Sequence, residues 1–420
     1  MLSLKTKLRE LAYVVIIDNI EAIQGSDNCE CADIGGWRIM VHKDEFKKGD
    51  PAIYFEIDSC LDSSNPAFAF MEKKKYKVKT QRYTFGGKGN FISQGLLMSA
   101  ASLGWTTCKK TDAVGIVDDK GKIHWSNDES RFLTEQLGVT YATVEDNKRK
   151  GKTGKNEKLN SALARHPKIA KKYGKAIKKN KILKALFLAI FGHSKAENAK
   201  AFPKKFPYIH ITDQERCENM TWVLEDKTPY IVTQKCDGSS GTYILERKPF
   251  GRFEFYVCSR RVRQLTPKQD CFHDENYYWE CAIKYDIKNK LKDYLQKNPQ
   301  LSYVCWQGEV CAPSIQKNPH GLTETHFYCF HMIDSERGKY DIRDAAKIWK
   351  DYNMEIVPIV NENYILPDDF EEFKKSAEGY YDATVCEGKS KQRREGFVYY
   401  NTTDPNFSFK NVSREYLLKH

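Results

Sequence analysis

Apolar residues in this chain come mostly as short runs broken by turn residues. In the first hundred positions the runs are YVVIIDNI, GWRIMVH, PAIYFEID and SQGLLMS. Gly25-Ser26-Asp27, Gly35-Gly36 and Gly49-Asp50 separate them. Short β-type runs punctuated by turn chemistry predict several strands over residues 8–100. A small domain of that kind hides its strand edges best as a closed barrel. The second half shows a second set: PYIVTQ, FEFYVCS, YVCWQGEV, FYCFHMI, EGFVYY and FSFKNV. Two helical patterns interrupt it. NYYWECAIKYDIKNKLKDYLQKN places Ile283, Ile287, Leu291 and Leu295 on one face at spacing four, and DIRDAAKIWKDY offers Asp341 as its N-cap. Strands with interspersed helices predict an α+β domain on antiparallel sheet.

The middle of the chain follows neither pattern. From Lys148 to Phe206 there are 19 Lys/Arg against two acids, Glu157 and Glu197. That segment carries +17, so the rest of a chain of net charge +12 sums to −5. Such a block is either an electrostatic footprint for a polyanion or a solvated insert. Ile177, Leu183 and Phe187 stand among its lysines at partly helical spacing. With 420 residues the chain exceeds one ordinary core. The expected division is a β-domain at 1–105, a linker with a lysine-rich insert at 106–202, and an α+β domain at 203–420.

Composition narrows the setting. The chain has thirteen cysteines but no C-x-x-C pair, and Cys258, Cys305 and Cys329 lie inside apolar runs. They read as small buried hydrophobes in a reducing compartment, and a structural zinc site is not expected. The start, MLSLKTKLRE, leads directly into a strand pattern, and the longest apolar run, ALFLAIF, falls short of the ~20 residues a bilayer needs. The expectation is an intracellular protein, cytoplasmic or nuclear, that is not secreted and has no membrane partner.

Candidate chemistry begins at IVTQKCDGSSGTYIL, residues 231–245, where Lys235-Cys236-Asp237-Gly238 stands between two strand patterns. A charged surface turn is one reading. The other is a nucleophilic lysine facing a nucleotide α-phosphate. A protonated amine cannot attack; nearby cations, a metal or desolvation must lower its proton affinity. Attack also needs a cation on the phosphate oxygens, acids to hold hydrated Mg²⁺, and a platform for the base. Further along stand Arg260 and Arg261 after FYVCS, Glu309 in WQGEVCAP, Phe330 in FYCFHMI, Glu395 in REGFVYY and Lys410 in FSFKNVS. Each alone is weak; the ordered set is far less likely to arise by chance. In the first domain KKKYKVKTQRYTFGGKGNF mixes cations with aromatic rings, which suits either a single-strand groove or an ordinary basic hairpin.

The ordered set K-x-D-G, S-R, G-E, F, E-G and S-F-K resembles the covalent nucleotidyltransferases: DNA ligases, RNA ligases and mRNA capping enzymes. A β-domain in front, and only ten residues after Lys410, resembles the family-5 ATP-dependent RNA ligases, whose N-terminal domain is OB-like. GWRIMV, KKGDPAIYFEIDS, ISQGLL, FPYIHITDQERCENM and IQKNPHGL resemble that branch too. The likeness covers roughly 8–105 and 203–418, leaving the basic segment outside. It implies Lys235, Asp237 and Lys410 as catalytic, and Lys235, Gly238, Arg260, Glu309, Phe330 and Lys410 around ATP. Asp237, Glu309 and Glu395 would hold Mg²⁺, or Mn²⁺, mostly through waters. Ser240 stands where many members have an arginine, and Ser408 where many have a lysine. RNA with 5′-phosphate and 3′-OH ends, single or in a nicked duplex, is the implied partner. Lys77, Lys79, Arg82, Lys88, Arg261 and Arg414 are its candidate contacts. The competing readings are a ligase for DNA or mixed nicks, and a binding protein with a decayed transferase domain.

Overall fold

The computed structural model describes residues 1–3, 9–85, 90–110, 113–141, 180, 183, 200–210, 212–264, 276–386 and 392–418. The basic run, including Ile177 and Phe187, lies almost wholly outside them, as does Lys88.

The N-terminal domain is built from small antiparallel sheets. Ala12–Ile16, Pro51–Phe55 and Leu96–Met98 form one; Asn19–Ala22, Cys29–Ile34 and Trp37–His42 form the next; Thr80–Thr84 pairs with Asn90–Gln94. Met40 donates its N–H to Ser93 Oγ at 3.0 Å and so ties the second sheet to the third. The strand Cys29–Ile34 escaped the sequence pattern because polar residues interrupt it.

This domain extends past the expected boundary at residue 105. Thr106–Lys110, Ala113–Val117 and Ile123–Trp125 make a further sheet. Ile116, Leu133, Leu137 and Val139 share one buried cluster with Leu11, Val14, Ile53 and Phe55. Thr140–Tyr141 pairs with Ser59–Cys60. Residues 106–141 therefore belong to the first domain. Apart from AVGIV, residues 113–117, their apolar positions stand among polar and charged ones, so the sequence pattern marks no clear domain there.

The C-terminal domain has two sheets. The larger has seven strands in the order Lys200–Ala201, Val262–Gln264, Phe253–Ser259, Ser239–Arg247, Tyr303–Cys311, His326–Asp334, Gly338–Lys339. The smaller runs Glu215–Arg216, Ser408–Val412, Gly396–Asn401, Tyr230–Lys235, Ile359–Tyr364. Tyr243, Trp306, Phe327 and Met332 from the first sheet meet Ile231, Val398 and Tyr400 from the second in one core. Ile287, Leu291 and Leu295 seal it, each fully buried, at about 2 kcal/mol apiece. Ile283 does not join them and is 70% exposed. The predicted helix breaks into Tyr277–Lys284 and Ile287–Lys297 around Asp286, whose φ is +48°, so the face rotates at the break. Asp341 caps Ile342–Asp351 as expected, accepting the Arg343 N–H at 2.8 Å. Among the described residues no helix is long and apolar enough to cross a membrane.

Candidate active site

The K-x-D-G motif is the crossover between the two sheets. Tyr230–Lys235 ends in the small sheet and Ser239–Arg247 begins in the large one. Lys235 therefore sits at a strand end where the sheets diverge, and a cavity of about 650 Å³ opens there. Gly238 is required by close approach: an added Cβ would stand 2.4 Å from Val310 O and 2.8 Å from Cys311 Sγ. With no side chain in the way, the Gly238 N–H reaches Glu309 Oε1 at 3.1 Å.

Pairing register assembles the acids. Lys235 lies opposite Gly396, so Glu395 comes alongside and accepts a hydrogen bond from Lys235 Nζ at 2.9 Å. Glu309 lies opposite Ser240 and enters from the large sheet. Burial opposes the charge on Lys235, but Glu395, Glu309 and Asp237 outweigh it and raise the amine's proton affinity. The acids show the converse. Burial, then Glu395, pushes Asp237 up to about 7; burial pushes Glu309 up to about 8, with Lys235 opposing and Glu395 and Asp237 adding to the rise. Asp237, Glu309 and Glu395 all face Lys235 but their oxygens are not gathered within direct ligand distance of one another, so a hard divalent cation there would be held partly through waters. Asp237, Glu309 and Glu395 are the residues that could hold it.

The cavity also has a cationic side. Lys410 Nζ lies 2.9 Å from Asp213 Oδ1, and the Arg260 guanidinium meets Asp213 Oδ2. Asp213 is held well below the usual carboxylate range: burial opposes this, but Lys410 and Arg260 prevail. Burial lowers Lys410 despite Asp213. Phe330 lines the same cavity with Val357, Val398 and Tyr400. Ser240 also borders it, its hydroxyl 2.5 Å from that of Thr212. Every residue expected around the nucleotide and the metal thus borders one cavity.

The expected RNA contacts are not brought together in the same way. Lys79 is exposed, Lys77 half-buried, and Arg261 exposed at the turn after Arg260. Arg82 is instead ion-paired with Glu415. Arg414 is clamped by Glu371 at 2.5 and 2.8 Å, with Gln94 Oε1 at 3.0 Å from its Nε. Both arginines, expected as RNA contacts, are ion-paired within the protein in this structure.

Several residues with roles at the site have no assignment from sequence. Arg9, Asp58 and Tyr141 of the N-terminal domain border the cavity. His320, inside IQKNPHGL, accepts the Asp237 N–H at its Nε2 at 3.1 Å and meets Val385 O through Nδ1 at 2.9 Å. Burial keeps this imidazole neutral, lowering it to about 4. The segment FPYIHITDQERCENM supplies Asp213 and a joint between the domains. Asn219 accepts the Trp37 indole N–H at 2.6 Å and donates to Glu56 at 3.1 Å and Glu215 at 2.8 Å. Gly36 donates its N–H to Glu218 O at 2.7 Å, and Arg216 pairs with Asp58 at 3.4 Å. The phrase was visible in the sequence; its role depends on partners some 180 residues away.

Residues 228–413 match the RNA ligase family model, and residues 11–100 match an OB-fold domain model. No curated protein matches the chain. Solved structures similar to it include the Naegleria gruberi RNA ligase with pyrophosphate, at 24% identity and TM-score 0.67, covering 98% of this chain and 99% of that one. A variant of that ligase with AMP and manganese matches at 24% identity and TM-score 0.65, with the same coverage. Another, with ATP and manganese, matches at 23% and 0.66, covering 98% of each chain. These likenesses concern the fold, and the family model covers the segment that carries the K-x-D-G crossover, Glu309, Phe330, Glu395 and Lys410. The chain thus joins an OB-fold-like segment, residues 11–100, to a segment similar to the RNA ligase family, residues 228–413, in the overall fold of the Naegleria gruberi RNA ligase structures.

Proposed function

We propose that the chain joins RNA 3′-OH and 5′-phosphate ends in RNA repair, through a lysyl-AMP and then an adenylated RNA. The observation that carries this is Lys235 Nζ at 2.9 Å from Glu395, amid three carboxylates, in a cavity whose other side holds Lys410 and Arg260. In the first step Lys235 Nζ bonds to the ATP α-phosphorus and pyrophosphate departs with the bonding pair. Glu395, hydrogen-bonded to that amine, is placed to take its proton. A divalent cation, Mg²⁺ or Mn²⁺, held by Asp237, Glu309 and Glu395 would lower the amine's proton affinity and offset phosphate charge. Phe330 offers a face for the adenine. Lys410 and Arg260 stabilise charge on the phosphate oxygens once Asp213 gives way.

In the second step an RNA 5′-phosphate oxygen attacks the AMP phosphorus, the P–N bond breaks and Lys235 is released. In the third, the RNA 3′-OH attacks the 5′-phosphate and AMP leaves. Lys77, Lys79 and Arg261 are the described residues we assign to RNA, and the run 148–206 supplies a wider attraction for its backbone. The division of labour is tested with RNA already adenylated at its 5′ end. Lys235→Ala should seal this substrate and fail on 5′-phosphate RNA with ATP. Loss of both activities, or equal sealing of an all-DNA nick, would contradict the proposal.

A further inference from the structure

Four consecutive residues near the end of the described chain address two places at once. The short helix Arg414–Leu417 is capped by Ser413, whose Oγ accepts the Tyr416 N–H at 3.0 Å. Glu378 fixes the same turn, accepting from Ser413 Oγ at 2.6 Å and from the Arg414 N–H at 2.9 Å. From this anchored turn Arg414 reaches Gln94 of the N-terminal domain, and Glu415 pairs with Arg82 of the same domain. Leu417 packs against the N-terminal cluster containing Tyr13, Trp37 and Tyr54. Between them Tyr416 points the other way, largely buried, and donates its hydroxyl to Asp237 Oδ2. Three residues before Tyr416, the Ser413 N–H donates to the Glu395 carbonyl at 2.8 Å. One turn of chain thus holds the backbone of one acid of the site and the side chain of another. Three of its four residues rest on the other domain.

We propose that Tyr416 is a positioning residue for Asp237, and that docking of the N-terminal domain on the helix Arg414–Leu417 sets its place. Asp237 has its backbone N–H fixed by His320 and its carboxylate fixed by Tyr416. Without the phenol, one carboxylate oxygen loses a charge-assisted hydrogen bond, and the acid is free to rotate away from Glu309 and Glu395. Loosening Glu415 from Arg82 moves the same turn from its far side. The N-terminal domain then does more than bind RNA: its seating completes the acid set before any RNA arrives. The inference rests on the reading of Asp237 as part of a divalent-cation site.

The test compares Tyr416→Phe, Arg82→Glu, Glu415→Arg and the Arg82→Glu/Glu415→Arg pair with the wild-type chain. Mn²⁺ affinity is measured by electron paramagnetic resonance without nucleotide, and lysine labelling from α-labelled ATP is measured over a Mg²⁺ series. Tyr416→Phe keeps the ring and its packing. It should weaken Mn²⁺ binding and raise the Mg²⁺ midpoint by about tenfold, the scale of one charge-assisted hydrogen bond, with the melting temperature unchanged. Each single charge reversal should shift the midpoint the same way by about threefold, and the double reversal should restore it. Wild-type Mn²⁺ affinity and Mg²⁺ midpoint in Tyr416→Phe would overturn the positioning role. Reversals that add rather than cancel would overturn the link to docking. An unlabelled wild-type chain would instead remove the ligase reading itself, so the two failures are distinguishable.

Discussion

Two lysines, Lys410 buried and Lys235 half-buried, line one cavity and are pushed in opposite directions. Lys235 meets three carboxylates and its proton is held more tightly than usual. Lys410 meets one carboxylate, Asp213, and burial, with the cations Arg216, Lys235 and Arg9 adding to it, loosens its proton. Burial acts alike on both; the difference is the number of acids facing each amine. The contrast assigns them different work. At Lys235 the acids outnumber the amine, which holds that amine protonated and leaves room for an added cation. At Lys410 and Arg260 the cations outnumber Asp213, which leaves room for an added anion. A nucleotide with its metal has the charge distribution that completes both ends. Asp213, already seated between the two cations, occupies the place a phosphate would take.

The comparison breaks most sharply at Lys410. Lys410→Met keeps the length and burial of the side chain but removes its charge. It should slow lysine labelling by about 10²-fold, the scale of one lost electrostatic stabiliser of a transition state, while leaving melting nearly unchanged. A rate within threefold of wild type, followed in single-turnover assays, would mean that Arg260 alone serves the phosphate. The acidic end is tested by stability. Asp237 and Glu309 titrate at about 7 and about 8, above their ordinary values. The folded, metal-free chain therefore binds protons that the unfolded chain has already released near pH 6. The stability these protons provide is complete in acid and is lost as pH rises through 7 and 8. Calorimetry in chelator should show melting fall by about 3 °C from pH 6 to 9. Manganese should restore more at pH 9 than at pH 6. A metal-free melting temperature that rises over that range would contradict the crowded-acid account.

Much of this arrangement was legible along the chain because strand chemistry is local. The six apolar runs of the second half are strands, and the K-x-D-G motif follows the first of them. What was not legible is what depends on distant partners. Ile283 has the right spacing for the buried face, but a left-handed Asp286 turns the helix before that face is complete. Residues 106–141 pair into a sheet of their own, but Ile116, Leu133, Leu137 and Val139 are buried against Leu11, Val14, Ile53 and Phe55, far back along the chain. The pairing of Arg82 with Glu415 and of Arg414 with Glu371 shows only in the fold. Asp213 lies within a phrase the sequence marked, yet its seat between Lys410 and Arg260 needs the folded cavity.

The central claim is that Lys235, and no other nucleophile, receives the nucleotide. The most direct measurement is transfer of label from α-labelled ATP with Mg²⁺ to the denatured chain, with Lys235→Ala beside the wild type. The account predicts label on the wild type, acid-labile as a phosphoramidate, that maps to the peptide holding Lys235 and is absent from the variant. Equal labelling of both chains, or none on a wild type first freed of bound AMP, would contradict it.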